Sequence, residues 1–163
     1  MMKNPLFAIV YTSQARSPVT EKLLNEILCQ ARERNEKDQI TGFLAARTGY
    51  FLQFLEGEKN RVQACYRRIQ KDERHTQIIT QAEMSLGERF MPDWSMGLAQ
   101  VDESQESIDS LLLLFEKARE GKPFSDPRAI KKMLSLFCKN IRLLGASDPK
   151  KKTLSEEPFF ILA

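Results

Sequence analysis

Residues 49–57 read Gly-Tyr-Phe-Leu-Gln-Phe-Leu-Glu-Gly, a short run of aromatic and long apolar residues that is closed by glycine at both ends. A run of this length and composition predicts a β-strand. Because side chains alternate along a strand, Phe51 and Leu55 point to one face, and Leu52 and Phe54 point to the other. Both faces are apolar, so the stretch predicts a central strand that is covered on two sides.

Gln53 does not fit this apolar strand, because it places an uncharged amide between Phe51 and Leu55. Burying an amide without partners costs roughly 1–3 kcal/mol, so we expect other groups to bond it. The amide can exchange its donor and acceptor by rotation, which suits a reversible hydrogen-bond switch. The alternative is a glutamine at a strand end that bonds only backbone or water.

Composition and charge exclude several classes of function. The 163 residues are 42% hydrophobic and 29% charged, which predicts one globular domain with a small appendage. The net charge of +3 is mild and its signs are interleaved, so we expect no nucleic-acid partner. No apolar run reaches the length of a membrane span and the start lacks a signal peptide, so we expect a cytoplasmic protein without a membrane partner. The 3 cysteines indicate reduced packing residues, and with 1 histidine a His/Cys metal site is not expected.

The order of the predicted elements indicates a ferredoxin-like α+β sandwich. Apolar runs predict strands, and apolar positions at helical spacing predict two crossover helices, the first capped by Ser17 ahead of Pro18 and ending near Asn35. Right-handed crossovers would place both helices on one face of the sheet, with a ligand groove between them above the central strand. The predicted order is β-α-β-β-α-β-β, with strands at 6–11, 40–46, 50–56, 76–84 and 94–98 and helices at 18–35 and 59–72.

The C-terminal part of the chain predicts two further helices. One lies around residues 111–115, and the other runs from Asp126 to a stop at Gly145. Two helices are too few to hold a core alone, so we expect a helical pair docked on the open face of the sheet. The predicted division is a domain at 1–102, a helical cap at 103–145 and a flexible tail at 146–163.

Several of these stretches together resemble the BLUF domain, a blue-light receptor that uses flavin. The resemblance covers roughly residues 5–100 and does not depend on any one motif. It rests on residues 9–13 (Ile-Val-Tyr-Thr-Ser), 35–42, 51–57, 72–75 and 92–97 (Pro-Asp-Trp-Ser-Met-Gly).

The resemblance implies a photochemical role for Tyr11 and Gln53. The flavin ring would lie between the two sheet-packed helices, with Asn35 bonded to its pyrimidine edge. Tyr11 would bond Gln53, and light would move an electron and a proton from Tyr11 to the flavin. The Gln53 amide would then rearrange by rotation or tautomer change, which would give a small, reversible red shift of the flavin spectrum.

The resemblance also implies roles for residues around this pair. Arg68 and Asp72 match positions near the flavin side chain, and the alternative for them is a solvated i,i+4 ion pair. Trp94 and Met96 would sense the glutamine change and pass it along the last strand. Ser13 would modulate the tyrosine. His75 is expected to be structural.

The function implied by the resemblance is blue-light sensing with FAD, or alternatively FMN, as the cofactor. Arg34 departs from the family, which often has another polar flavin contact there, so the choice of flavin stays open. No enzymatic unit is expected, and the output would be a protein partner or self-association through the C-terminal helices, with a homo-oligomer expected. The alternatives are a flavin- or ligand-binding module of ferredoxin-like fold that is not photoactive, and an acylphosphatase-like hydrolase, for which no phosphate-binding glycine loop is visible.

Overall fold

The computed structural model describes residues 4–92, 98–100, 106–124, 126–140, 142–144 and 160–162. Within these ranges the chain forms seven strands and four helices. The strands are β1 (Leu6–Ala15), β2 (Thr41–Arg47), β3 (Tyr50–Glu58), β4 (His75–Leu86), β5 (Leu98–Gln100), β6 (Arg142–Leu144) and β7 (Phe160–Leu162). The helices are α1 (Glu21–Asp38), α2 (Lys59–Gln70), α3 (Glu106–Glu120) and α4 (Pro127–Asn140).

The strand β3 lies inside the sheet, as its two apolar faces predict. The strand order is β4-β1-β3-β2-β7-β5-β6, and all neighbouring pairs are antiparallel. The β2–β3 hairpin closes through Thr48 and Gly49, whose φ angles of 47° and 84° fit the two-residue turn that matches strand twist. The ferredoxin-like α+β fold predicted from the sequence is confirmed.

One face of the sheet, the α1/α2 face, is covered by the two crossover helices. Phe51 and Leu55 of β3 lie on this face, in agreement with the predicted alternation. The buried cluster includes Ile9, Phe51 and Leu55 from the sheet, Leu24 and Leu28 from α1, and Val62 and Tyr66 from α2.

The opposite face, the α3/α4 face, is covered by the C-terminal helices, which confirms the predicted helical pair on the sheet. Leu52 and Phe54 of β3 lie here, and Phe54 packs on Phe43 with ring centroids 5.8 Å apart. Burying this side of the sheet removes its apolar surface from water, which is the main stabilising term in folding. The cluster includes Val10, Leu52 and Phe54 from the sheet with Leu111, Leu114, Ile130, Leu134 and Phe137 from the helices.

The predicted ends of α1 are wrong at both sides. Thr20, not Ser17, is the N-cap, because Thr20 is extended and its hydroxyl accepts a bond from the Leu23 amide at 3.2 Å. The helix also continues past Asn35 to Asp38, and Gln39 ends it in the left-handed conformation with φ 55°. Charged residues such as Glu36 and Lys37 are good helix formers, so a polar stretch did not stop the helix.

The C-terminal predictions need two corrections. Helix α4 ends at Asn140 rather than near Gly145, and Arg142–Leu144 pairs with β5 as strand β6. The tail is predicted to be flexible, but Phe160–Leu162 forms β7 between β2 and β5. A free edge of β2 would leave backbone donors and acceptors unpaired, and an apolar Phe-Ile-Leu segment suits a strand there.

Two further sequence predictions fall at the limits of the described residues. Most of the predicted fifth strand at 94–98 lies outside the described residues, and the strand described next to it is β5 at Leu98–Gln100. The predicted boundary at 102 and 103 also lies outside them, so the division into domains stays a prediction. Within the described residues, no helix combines the length and apolarity that crossing a membrane requires.

Candidate functional site

The centre of the α1/α2 face holds a buried tyrosine and a buried glutamine on neighbouring strands. Tyr11 of β1 and Gln53 of β3 are register partners, so their side chains project side by side from the same face. The Tyr11 hydroxyl donates a hydrogen bond to Gln53 Oε1. The two residues are only 3% and 4% exposed, so this bond satisfies the amide oxygen that the apolar strand buries.

A cavity opens between α1 and α2 above this pair. Its empty space, including the mouth to solvent, is about 730 Å³, within the range of small-molecule sites. Tyr11 and Gln53 lie among its lining residues, and the apolar part of the wall is formed by Ile27, Ala31, Leu44, Phe51 and Ile69. The predicted groove between the helices is therefore present, with apolar walls and a polar end.

Asn35 brings a second amide to this cavity. Although α1 extends beyond it, Asn35 is 2% exposed, and its backbone carbonyl accepts from the Ile40 amide at 2.9 Å. Its side-chain Oδ1 accepts a weak bond from the Cys65 thiol at 4.0 Å. Burial raises the pKa of Cys65, so the thiol stays protonated and acts as a small packing residue. Asn35 thus places a buried amide in the wall of the cavity.

The surroundings of Tyr11 keep its phenol protonated. Burial raises the pKa of Tyr11 well above its ordinary value, and the neighbouring Cys65 and Tyr66 raise it further. The Tyr66 ring lies with its centroid 5.3 Å from that of Tyr11, tilted by 37°. Tyr11 therefore keeps its hydroxyl proton at neutral pH and can donate the bond to Gln53 Oε1.

Ser13 and His75 form a short hydrogen-bonded chain beside Tyr11. His75 Nε2 lies 2.7 Å from the Ile69 carbonyl oxygen, which can only accept, so Nε2 carries a proton. In the neutral ring, Nδ1 then accepts from the Ser13 hydroxyl at 2.8 Å. The His75 ring stands edge-on to Tyr11 with centroids 6.1 Å apart. The sequence indicates both residues, but their contact joins distant parts of the chain and no local pattern predicts it.

The charged residues at the cavity mouth form ion pairs other than the i,i+4 pair considered for Arg68 and Asp72. These two residues do not bond each other: Arg68 pairs with Asp38 at 2.8 Å, and Asp72 pairs with Arg74 at 2.5 Å. The hydrogen bond from Arg74 lowers the pKa of Asp72. Arg68, Asp72 and Arg74 all line the cavity, so the solvated i,i+4 pair is wrong and a paired rim is found.

Arg34 adds a positive charge to this rim. It is exposed, lines the cavity, and forms no ion pair in the part of the chain that the structure describes. Because the other two arginines of the rim have carboxylate partners, Arg34 leaves the mouth with a surplus positive charge. Such a mouth favours an anionic group on a bound ligand.

Trp94 and Met96 lie outside the described residues, but the segment that precedes them is held by a buried carboxylate. Glu56 of β3 is fully buried and accepts from the backbone amides of Phe90 at 2.7 Å and Met91 at 2.8 Å. It also accepts from the Thr41 hydroxyl at 2.8 Å. Sequence reasoning missed this role, although a carboxylate inside an apolar strand run was a usable signal.

Comparison with known proteins gives the same family as the motifs. The family model BLUF, described as "Sensors of blue-light using FAD", matches residues 6–97. The photoactivated adenylate cyclase subunit beta of Euglena gracilis is 39% identical over 92 residues, which are 56% of this chain and 11% of that protein. The antirepressor BluF of Escherichia coli K12, described as blue light- and temperature-regulated, is 34% identical over 74 residues, 45% of this chain and 18% of that protein. The chain thus spans a small part of these curated relatives.

Two of the solved structures that match are aligned over nearly their whole length. The photo-activated state of BlsA aligns with a TM-score of 0.64 and 27% identity, covering 82% of this chain and 94% of BlsA. The dark state of BlrB, a BLUF protein, aligns with a TM-score of 0.62 and 23% identity, covering 83% of this chain and 97% of BlrB. At that identity the second likeness shows the fold alone.

The raised pKa of Tyr11 predicts a pH dependence of stability. The folded protein holds the phenol proton more tightly than the unfolded chain, so its contribution is fully present below the model-compound value of 10.0 and is lost as pH rises through the folded pKa. We expect the free energy of unfolding to fall more gently above pH 10 in Tyr11→Phe than in the wild type. Urea unfolding at several pH values measures this, with Tyr66→Phe, a less buried tyrosine, as a control of smaller effect. Equal slopes in Tyr11→Phe and wild type would contradict it.

Proposed function

The chain belongs to the BLUF family, sensors of blue light using FAD, and from this premise we propose that Tyr11 and Gln53 form its light-driven switch. The observation that carries the proposal is the buried hydrogen bond between their side chains at the polar end of the cavity. The cavity suits a flavin, because its apolar walls match a flat ring and its amides match a polar edge. The positive mouth matches a phosphate-bearing side chain.

Each residue has a defined part in the proposed switch. A bound flavin supplies blue-light absorption and accepts an electron. Tyr11 would give up that electron, and its hydroxyl proton would pass along the bond to Gln53 Oε1. Both the electron and the proton would return to Tyr11 at the end of the step, so that only the Gln53 amide stays changed. The Gln53 amide then rearranges by rotation or tautomer change, so that a group which accepted a bond can donate one. In a low-dielectric pocket this alters every hydrogen bond that the amide shares.

The first test removes the Gln53 amide while keeping the cavity. We expect Gln53→Leu to retain flavin but to lose the red shift, because no amide remains to rearrange. Gln30→Leu is the matched control: Gln30 lines the same cavity, but its amide bonds Arg74 at 3.1 Å at the rim. Absorption spectra in the dark and directly after blue light measure both variants. A normal red shift in Gln53→Leu would remove this residue from the mechanism, and a wild-type protein that holds flavin without any shift would favour a flavin-binding module that is not photoactive.

For the cofactor we propose contacts along the length of the cavity. Asn35 would bond the pyrimidine edge of the ring, and Arg68 and Asp72 would lie beside the flavin side chain. Arg34 would meet the phosphate, since it is a rim cation without a carboxylate partner among the described residues. This assignment favours FAD and FMN over riboflavin, because riboflavin has no phosphate.

The phosphate contact is tested by comparing three flavins. We expect Arg34→Ala to weaken FAD and FMN by roughly three- to tenfold, as suits one exposed charge-assisted contact, and to leave riboflavin unchanged. Lys37→Ala is the control, since it removes a charge from the same helix where Lys37 pairs with Glu33 at 3.7 Å. Fluorescence titration of the apoprotein gives the dissociation constants. If Arg34→Ala weakens riboflavin as much as FAD, the assignment to the phosphate is wrong.

The output that we propose is a change in the surface offered by the cap and its neighbouring strands. We propose that the chain has no catalytic activity of its own and that light alters its self-association or its binding to a protein partner through α3 and α4. This requires that the two states differ in affinity for that partner. Light scattering of dark and illuminated samples measures the molar mass. Equal masses together with equal hydrogen exchange in α3 and α4 would contradict the proposal.

A further inference from the structure

A buried glutamine on the α3/α4 face connects β1 to the segment that follows α3. Gln81 lies in β4, and its side chain is only 3% exposed. Its Nε2 donates to Thr12 Oγ1 at 2.9 Å and to the Lys122 carbonyl at 3.4 Å. Its Oε1 accepts from the Phe124 amide at 2.6 Å. One side chain therefore bonds two elements. The first is β1, the strand that carries Tyr11, and the second is the segment 121–124, which directly follows α3.

Gln81 also occupies an irregular point of the sheet directly beside Tyr11. Val10 pairs with Ala82, whereas the next residue of β1, Tyr11, pairs with Thr80. Gln81 is thus the extra residue of a β-bulge on β4. Bulges bend a strand and change the direction of nearby side chains. The bulge turns the Gln81 amide towards the cap at the level of the photochemical tyrosine.

The bonds of Gln81 join β1 to the segment that follows α3. Thr12 follows Tyr11 in β1 and is fully buried on the opposite face of the sheet. A shift of β1 at Tyr11 moves the Thr12 hydroxyl, and the Gln81 amide must either follow it or lose a buried bond. Losing a buried bond is costly, so the amide and the Phe124 amide that it holds are expected to follow.

We propose that Gln81 is a positioning residue that couples β1 to residues 121–124, so that a change in the Tyr11–Gln53 pair alters the cap through Thr12 and Gln81. The light-dependent part of this inference rests on the proposed function. The anchoring of Phe124 by Gln81 does not, and it can be measured in the dark.

The decisive variant is Thr12→Val, which is nearly isosteric and removes only the acceptor on β1. Gln81 keeps its bonds to Lys122 and Phe124, so the Phe124 amide stays protected in the dark. In wild type we expect illumination to change the exchange rate of this amide, and in Thr12→Val we expect the light-to-dark ratio to fall to about one. Amide hydrogen exchange followed by NMR resolves this position, and the flavin red shift is recorded on the same samples.

Two further variants separate coupling from general loosening. Gln81→Met keeps the volume but removes the amide, so dark exchange of Phe124 should rise by about tenfold, as for one lost hydrogen bond. Ile130→Val removes one buried methyl group between α4 and the sheet and no hydrogen bond, so its light-to-dark ratio should equal that of wild type.

The outcomes distinguish this inference from the proposed function. A wild-type ratio retained in Thr12→Val, unchanged dark exchange in Gln81→Met, or a ratio lost equally in Ile130→Val would each overturn the coupling. A wild-type red shift without any light-dependent exchange at the Lys122 and Phe124 amides would overturn the coupling alone. A wild-type protein that binds flavin without a red shift would overturn the proposed function and the light-dependent coupling together.

Discussion

The pairing of β1 with β3 sets the position of everything else in the site. It places Tyr11 opposite Gln53, and the next pairing, between β3 and β2, places Leu44 beside Gln53. A slip of one residue would turn the tyrosine towards the cap and bury it among the side chains of α3 and α4. The register is protected because both faces of β3 are packed against helices, so a slip would misplace every apolar side chain of the strand.

The sheet separates the side that holds the cavity from the side that the C-terminal helices cover. The α1/α2 face holds the cavity and its amides, whereas the α3/α4 face holds polar groups that fix other segments of the chain. Glu56 fixes the backbone that leads into residues 93–97, and Gln81 fixes the segment after α3. Each is a buried polar residue in a largely apolar layer, and both polar atoms of each side chain are hydrogen-bonded. Buried polar groups of this kind specify one arrangement of the elements that they join.

The sequence predicts what depends on local pattern and misses what depends on distant contacts. The alternation in β3 predicts its two buried faces, and helical periodicity predicts the docked C-terminal pair, because both follow from which residues must leave water. The Arg68–Asp38 pair joins two helices, so the spacing of Arg68 and Asp72 pointed to the wrong partner. Strand β7 pairs with an edge that only the assembled sheet creates, and a terminal Phe-Ile-Leu segment does not reveal it.

The size of the Tyr11–Gln53 interaction limits how any output can work. A neutral hydrogen bond contributes a net of about 0.5–1.5 kcal/mol, so rearranging one of them changes an equilibrium by roughly two- to tenfold, and rearranging two by roughly a hundredfold at most. A ligand or a switch shifts two states only by the difference in its interactions with them. A cap held firmly in one position would therefore not respond to the rearrangement. For the proposed switch to act on the cap, the cap must lie close to equilibrium between two positions. Gln81 bonds both Thr12 of β1 and Phe124 after α3, so it is a side chain at which a change of this size can act.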